Sequence, residues 1–247
     1  RPSRLPLFLC HRELAMLEKS TIALALASVA CAAGGPLLAR FGVLASMPAF
    51  ALFALGGLLG IAALAAGATA AIERKAYFAA MVGMLGILPF IGLAAGVLEA
   101  TRYPAINDIT TDLANPPQFL EAQHLPANEG RDMTFPADFA EAIRKHYPQV
   151  APLRLEMDAE PAFRKALGVA ASREFRWTVT RQDPSAYRFE AVARSRIFRW
   201  QDDVVVRIEP DGDGGCKVDM RSRSREGKGD LGANARRIRK FFEALQG

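Results

Sequence analysis

Charged residues are nearly absent from a long stretch near the N-terminus. Between Thr21 and Leu98 the chain carries only four of them, and these fall at two places, Arg40 and the run 73–75. They divide the stretch into apolar segments of about 20 residues or more, and a helix of that length crosses a hydrocarbon core of roughly 30 Å. The sequence therefore predicts an anchor of three transmembrane helices, at about 20–38, 47–72 and 76–98.

Asp, Glu, Lys, Arg and His are also missing from the interior of the three predicted spans. Such groups mark the proton and ion paths of pumps and transporters, so their absence argues against both classes. The segment Ala30-Cys31-Ala32 resembles a signal-peptide cleavage site, but two further spans follow it, and we interpret it as part of an uncleaved anchor. The chain starts at Arg1 rather than Met, so a few further residues are expected before it.

Cysteine and histidine are scarce, with three residues of each. Cys10 precedes the first predicted span, Cys31 lies inside it and Cys216 is in the polar C-terminal half, so no intrachain disulfide is expected. The histidines lack metal-ligand spacing, and the Ser, His and Cys residues lack the spacing of a catalytic nucleophile. We therefore expect neither a metal site nor a cofactor, and a non-enzymatic role is favoured.

The net charge of +5 is divided between the two halves, +3 in residues 1–100 and +2 in residues 101–247, so it does not indicate nucleic-acid binding. Four basic residues precede the first span, and Arg74 and Lys75 stand between the second and third, whereas the first loop has only Arg40. The positive-inside rule then places the N-terminus in the cytoplasm. With three spans, the C-terminal half is predicted to lie in the periplasm, tethered to a bacterial inner membrane.

The spacing of apolar residues changes along the C-terminal half of the chain. Residues 101–135 are rich in Pro, Asn and Gly, which predicts an extended arm with one short strand near 106–111. Helices are predicted at about 137–147 and 161–171, and from residue 175 four alternating segments predict an antiparallel meander. The run after Asp230 predicts a last helix whose apolar face contains Leu231, Ala235, Ile238, Phe242 and Leu245.

These segments predict a soluble α+β domain at 136–247, an antiparallel β-meander covered on one face by the C-terminal helix. The arm at 101–135 joins it to the three-helix anchor at 1–100. We expect the opposite, charged face of the sheet to contact water or a partner, such as anionic lipid. Val205, an apolar residue at a charged position, is the exception to the alternation.

Basic residues recur at alternate positions near the end of the meander. The three arginines of the run 221–225 fall on one strand face, and a glycine-flanked loop then leads to a helix N-terminus, which favours an anion. This predicts an anion- or partner-binding face formed by Arg207, Arg221, Arg223, Arg225 and Lys228. The alternative is structural: Asp230 occupies the helix N-terminus, and Asp219 and Glu209 pair with the arginines.

Four aspartates, at positions 108, 112, 202 and 203, are candidates for acid–base chemistry or metal binding. Asp202 and Asp203 are neighbours on a strand and point to opposite faces, so they cannot act as one dyad. Roles in turns and at strand starts are the alternative.

Several separated motifs resemble one protein family. They are residues 104–112 with Pro116, Pro117 and Phe119, then 200–207, 218–225 and 230–238. In this order, over about 103–245, they are similar to the bacterial and plastid family of domains of unknown function numbered 1499, and members with a three-span anchor resemble the whole chain. Trp200-Gln201 departs from the Phe-Lys expected there. The resemblance supports the fold and location, implies no activity, and includes the arm motif Asn107, Asp108, Thr110 and Thr111.

Three functions are compatible with these features. The first is a non-enzymatic accessory protein of the inner membrane that binds a larger membrane protein complex through the arginine face. The second is a helix-grip module for a lipid or other apolar ligand, with Arg221 or Arg223 at the mouth and a lining of Phe175, Trp177, Phe189, Met220 and Phe242. The third is an envelope enzyme that acts on an anionic substrate through Asp108, Asp203 and Arg207.

Overall fold

A computed structural model describes residues 7–74, 77–212 and 214–247 of the chain. The chain divides into two compact units, which are described separately. The helical unit comprises Arg1–Glu99 with the short segment Arg196–Arg199, and the sheet unit comprises Ala100–Ser195 with Trp200–Gly247.

The helical unit contains α1 (Leu7–Arg40), α2 (Ser46–Arg74) and α3 (Tyr77–Ala100). The segments Lys19–Arg40 and Ser46–Thr69 are long and apolar enough to cross a membrane, with mean hydropathies of 2.0 and 2.2. The first two predicted spans are therefore confirmed as apolar helices of spanning length. The third predicted span coincides with α3, for which a span is not shown, and its first residue, Ala76, lies outside the described residues.

Small residues allow α1 and α2 to approach closely. A Cβ atom on Gly56 would lie 2.5 Å from the backbone nitrogen of Ala32, so only glycine fits there. The buried Ser28 hydroxyl donates a hydrogen bond of 2.6 Å to the carbonyl oxygen of Gly56. Close backbone contact and polar hydrogen bonds of this kind stabilise helix pairs in an apolar solvent, where burial of apolar surface gives little driving force.

The described residues of the sheet unit form six strands, three α-helices and three short 3-10 helices. All strand pairs are antiparallel, in the order β1-β6-β5-β4-β3, and β2 also pairs with β6. The predicted meander is confirmed as β3 to β6, and the short strand of the arm as β1, whereas β2 escaped prediction because three residues are too few to show alternation. The bounds are β1 Asp108–Thr110, β2 Leu153–Leu155, β3 Thr178–Asp183, β4 Arg188–Arg194, β5 Gln201–Pro210, β6 Cys216–Ser224, α4 Phe139–His146, α5 Ala159–Ala171 and α6 Ala233–Gln246.

The main core lies between one face of the sheet and the helices α5 and α6. Phe189 and Met220 of the sheet and Phe241 of α6 are completely buried, and the Phe241 ring stacks on Trp177 at a centroid distance of 4.8 Å. The predicted helical face was wrong at Leu231 and missed Phe241, while Phe242 packs partly buried against the main core. Phe241 rather than Phe242 is fully buried, and Leu231 is 49% exposed because positive φ angles at residues 231 and 232 keep it outside the helix.

The other face of the sheet is covered by the arm. Phe119, Ala122 and Met133 of the arm are buried and form a second apolar cluster with Val205 of β5. The prediction that this face contacts water or a partner was therefore wrong. The arm is irregular, with short 3-10 turns at Ala122–His124 and Pro126–Asn128, but it is a packed layer of the domain.

Candidate functional site: the polar face of the sheet

Strand alternation brings most of the predicted site residues to one surface, which we call the polar face. Strand β6 supplies Asp219, Arg221 and Arg223, and Arg225 follows directly after it. The other strands supply the rest: Asp108 and Thr110 of β1, Asp203 and Arg207 of β5, and Arg188 and Glu190 of β4. The register places Arg223 directly between Asp108 and Asp203, and Arg207 opposite Asp219.

Asp108 and Arg221 form a completely buried ion pair in the middle of this face. The guanidinium donates from Nε to Oδ1 at 2.9 Å and from Nη2 to Oδ2 at 2.7 Å. It also donates to the carbonyl oxygens of Pro117 and Met133 in the arm, at 3.3 and 2.9 Å. The ring of Phe119 lies 4.8 Å from its central carbon. A buried charge pair persists only when further hydrogen bonds satisfy its remaining groups, and here the arm supplies them.

Asp203 and Arg225 form a second pair at the neighbouring position. Arg225 donates from Nη2 to Oδ1 of Asp203 at 2.6 Å and from Nη1 to Gln201 at 2.8 Å. Asn128 of the arm donates to Oδ2 of Asp203 and to the carbonyl oxygen of Ala122, both at 2.8 Å. This carboxylate therefore holds the second turn of the arm against the sheet.

Glu190 binds the backbone of the arm directly, and sequence reasoning missed it. Its carboxylate accepts hydrogen bonds from the backbone N–H groups of Leu120, Glu121 and Ala122, at 2.6, 3.0 and 2.9 Å. Arg188 lies 3.4 Å from the same carboxylate. In the sequence Glu190 looks like an ordinary exposed residue of an alternating strand, yet it is only 1% exposed.

Arg207 lies between two carboxylates at the other end of the face. Its Nη2 is 2.9 Å from Oδ2 of Asp112 and 3.0 Å from Oδ2 of Asp219. Burial alone would raise the pKa of Asp112, but the N–H groups of residues 114 and 115 and the charges of Lys217 and Arg207 hold it below its ordinary value. Asp219 also accepts a hydrogen bond of 3.1 Å from Thr111, so the start of the arm is fixed here.

Arg223 is the least satisfied cation of the polar face. Its Nε lies 3.8 Å from Oδ2 of Asp108, whose oxygens already bind Arg221. Within the described part of the chain, its buried Nε and Nη1 have no hydrogen-bond partner. Burial lowers the pKa of Arg223, Asp108 partly offsets that effect, and the charges of Arg131 and Arg221 lower the pKa further.

The other predicted residues are placed in three different ways. Asn107 donates a hydrogen bond of 2.6 Å to the carbonyl oxygen of Gly227, and the buried Thr110 donates to the carbonyl oxygen of Asp112 at 3.3 Å. Lys228 is exposed in the loop between β6 and α6. The structure thus brings Asp108, Thr111 and four of the five predicted basic residues together, and leaves Lys228 outside.

Asp202 and Asp203 point to opposite faces, in agreement with the alternation. Asp202 forms an ion pair with Arg237 of α6, on the side of the main core. Next to it the buried Ser222 donates to Asn234 at 2.6 Å. Asp230 accepts from the backbone N–H groups of Gly232 and Asn234, both at 2.8 Å. The N-cap residue of α6 is Gly232, so Asp230 binds one N–H of the first turn of the helix, which agrees in part with the structural alternative.

Two candidate carboxylates of the polar face are closed to solvent among the residues that the structure describes. Asp108 and Asp203 are almost completely buried and bonded to arginines, and no three His, Cys, Asp or Glu side chains of the described residues are placed to hold a metal ion. Two clefts lie away from the Asp108–Arg221 and Asp203–Arg225 pairs. One of about 450 Å³ is lined by the start of α5, Tyr187 and Gly215, and one of about 260 Å³ separates Pro116 and Phe135 of the arm from Ala140 of α4.

The comparisons with known proteins agree with the resemblance seen in the motifs. The model of a family described as a protein of unknown function, DUF1499, matches residues 108–245, from the first residue of β1 almost to the end of α6. No curated protein matches the chain. The matched range is more than half of the chain and contains both partners of each ion pair on the polar face, and the chain therefore belongs to the DUF1499 family.

Proposed function

We propose that the chain is a non-enzymatic accessory protein of the bacterial inner membrane that presents its α+β domain to a larger membrane protein complex. The observation that supports this most is that the charged side chains of the polar face already bind one another and the arm. The three residues considered for catalysis are all in ion pairs. Asp108 pairs with Arg221, Asp203 with Arg225, and Arg207 with Asp219. These side chains hold the arm, so binding at the outer surface remains as the function.

The proposed location is a three-helix anchor with the N-terminus in the cytoplasm and the sheet unit in the periplasm. It is supported by the two apolar helices of spanning length and by the basic residues at positions 1, 4, 12 and 19. The low count of basic residues between the first and second helices is consistent with a loop on the outer side.

The two alternatives have less support from the geometry. An apolar ligand between α6 and the sheet needs a cavity, but Trp177 and Phe241 stack there and Met220 is completely buried. Arg221, the residue proposed for the mouth of that cavity, lies on the other face under the arm. An enzyme needs Asp108 and Asp203 accessible, and they are 0% and 1% exposed.

Purification of the tagged full chain from native membranes in mild detergent tests the proposal. We expect a partner in stoichiometric amount. Lys228, the exposed member of the predicted basic face, offers a specific probe: Lys228→Glu should reduce recovery of that partner, whereas Lys240→Glu on the exposed side of α6 should not. A solitary chain with no stoichiometric partner would contradict the proposal.

A further inference from the structure

A turn of the arm holds a second cation, Arg131, beside Arg223. The turn at 128–131 is closed by a hydrogen bond of 3.0 Å from the N–H of Arg131 to the carbonyl oxygen of Asn128, with Gly130 at a φ of 72°. The guanidinium of Arg131 then donates from Nη2 to the carbonyl oxygen of Ser224 at 3.3 Å. Ser224 directly follows Arg223 on β6, so the two arginines lie close together.

Neither of these arginines has a carboxylate of its own. Within the described part of the chain Arg131 forms no ion pair, and its Nη1 donates to the amide oxygen of Asn128 at 3.2 Å. Arg223 shares Asp108 with Arg221, which already binds both oxygens of that carboxylate. Burial lowers the pKa of Arg223 and the charge of Arg131 lowers it further, which agrees with the proximity of the two cations.

Two other acidic residues of this region do not neutralise the pair. Asp132 is exposed and accepts a hydrogen bond of 2.8 Å from the N–H of Thr134, so it belongs to the arm's own turn. Glu226 is half-buried, and its Oε2 has no hydrogen-bond partner among the described residues. Burial raises the pKa of Glu226, which disfavours its charged form. Arg131 and Arg223 are therefore held together without a counter-ion in contact with either.

The two cations can be reached from solvent. The side chain of Arg223 is 13% exposed and Arg131 is partly exposed, and the space around Gly130 is open. Because Nε and Nη1 of Arg223 are buried, Nη2 is the nitrogen that an approaching anion meets first. The planar forks of guanidinium groups match the oxygens of phosphate. A phosphate group carries a charge of about −1.5 to −2 near pH 7, so it balances two cations better than a carboxylate does.

We infer that Arg131 and Arg223 bind one phosphate group at the margin of the polar face. One oxygen accepts from Nη2 of Arg223 and another from the guanidinium of Arg131. The phosphate supplies the missing counter-charge and, because Arg131 belongs to the arm and Arg223 to β6, it fastens the turn at 128–131 to the sheet. This site goes beyond the proposed function, since it requires neither a membrane nor a protein partner.

Titration of the full chain in detergent with inorganic phosphate tests the inference. Calorimetry should show saturable binding, and the ³¹P resonance of phosphate should broaden when the protein is added. Arg223→Gln and Arg131→Gln should each weaken binding about tenfold or more, because each removes charged hydrogen bonds to the anion. Arg144→Gln, at an exposed arginine of α4, is the matched control and should leave the affinity unchanged.

Thermal unfolding separates binding from the general effect of the salt. Phosphate stabilises folded proteins because it is excluded from their surface, so wild type and Arg223→Gln are compared at equal phosphate concentrations. Without phosphate, Arg223→Gln should be at least as stable as wild type, since it removes buried donors that have no partner. With phosphate, wild type should gain an additional, saturable rise in midpoint that the variant lacks. Equal rises in both proteins would overturn the inference.

Soluble competitors distinguish the sources of the phosphate. Glycerol 3-phosphate is a monoester that can carry two charges, whereas glycerophosphoglycerol, the headgroup of phosphatidylglycerol, is a diester with one. Displacement by the monoester alone would assign the site to free phosphate or a monoester, and equal displacement by the diester would assign it to lipid headgroups. Acetate that binds as tightly as phosphate would overturn the phosphate assignment in favour of a carboxylate. Absence of phosphate binding would overturn the inference and leave the proposed function standing, whereas binding by a chain that purifies without a partner would contradict only the proposed function.

Discussion

The two faces of the sheet are closed by different chemistry. On one face α5 and α6 bury apolar side chains, and completely buried alanines at 162, 166 and 170 let α5 lie close to the sheet. On the other face an irregular segment without long helices or strands is held by charged side chains. Helices satisfy their own backbone groups, so a helix needs only an apolar surface, whereas an irregular segment also needs partners for its N–H and C=O groups.

The polar face supplies those partners. Glu190 accepts three backbone N–H groups of the arm, Arg221 donates to two of its carbonyl groups, and Asn128 links the arm to Asp203. The comparison teaches that an arginine-rich strand face need not be a surface for a ligand. Here it is the template on which a proline-rich arm acquires a fixed conformation.

Phe241→Ala is expected to have the largest effect, because it removes a completely buried ring from the helical side. The loss in unfolding free energy should be about 3–5 kcal/mol, from lost burial and from the cavity that remains. Phe242→Ala, at the adjacent and only partly buried position, is the matched control and should cost much less. Denaturant titration of the full chain in detergent, followed by tryptophan fluorescence, measures both. Equal losses would show that α6 is placed differently.

The sequence predicted the helical side better than the arm side for a physical reason. Period-two alternation and the apolar stripe of the last helix are local patterns, and they identified the meander and α6 without knowledge of long-range contacts. The error at Leu231 came from the backbone turn that delays the start of the helix to Ala233.

The arm's position depends on bonds between residues far apart in sequence, which no local pattern reveals. Asp108 and Arg221 are 113 residues apart, and Glu190 is 70 residues from Leu120. One local signal was available. Val205 interrupts an otherwise charged face, and in the structure it is completely buried against Phe119 and Met133 of the arm. An apolar residue on a charged strand face indicates that this face is covered.

Asp108→Asn tests whether the polar face is as essential as the apolar one. It leaves the buried Arg221 without its counter-charge, and loss of one partner of a buried pair costs about 3 kcal/mol or more. The same denaturant titration measures it, with Asp138→Asn, at an exposed position, as the control. In the double variant Asp108→Asn with Arg221→Met part of the stability should return, because the unpaired charge is gone. No destabilisation by Asp108→Asn would mean that the arm does not depend on this pair.

Glu190→Gln is expected to loosen the arm without unfolding the sheet. The amide loses the charge that strengthens three hydrogen bonds to backbone N–H groups, and charged hydrogen bonds contribute about 1.5–3 kcal/mol. Hydrogen exchange should accelerate at residues 120–122, while the amides of β5 stay protected. Glu209→Gln, at a carboxylate that is 45% exposed, is the control and should change neither. Uniform acceleration across the sheet would show that the arm and sheet unfold as one unit.

The smallest expected effect is an opposite response of the two sides to acid. The pKa of Asp112, on the arm side, is lowered from 3.8, so its contribution to stability is present above pH 3.8 and is lost as the pH falls through the lower, folded value.

Burial raises the pKa of Asp230 at the start of α6, although the N–H groups of residues 232 and 234 oppose that effect. The folded state therefore binds this proton more readily than the unfolded state, and stability contributed by Asp230 increases as the pH falls through its raised pKa. Asp112→Asn should flatten the loss of stability in acid, and Asp230→Asn, which keeps an oxygen acceptor for the cap, should steepen it. Unfolding midpoints between pH 6 and about 3 measure the two slopes, and slopes of the same sign would contradict the assignment of opposite electrostatic environments to the two faces.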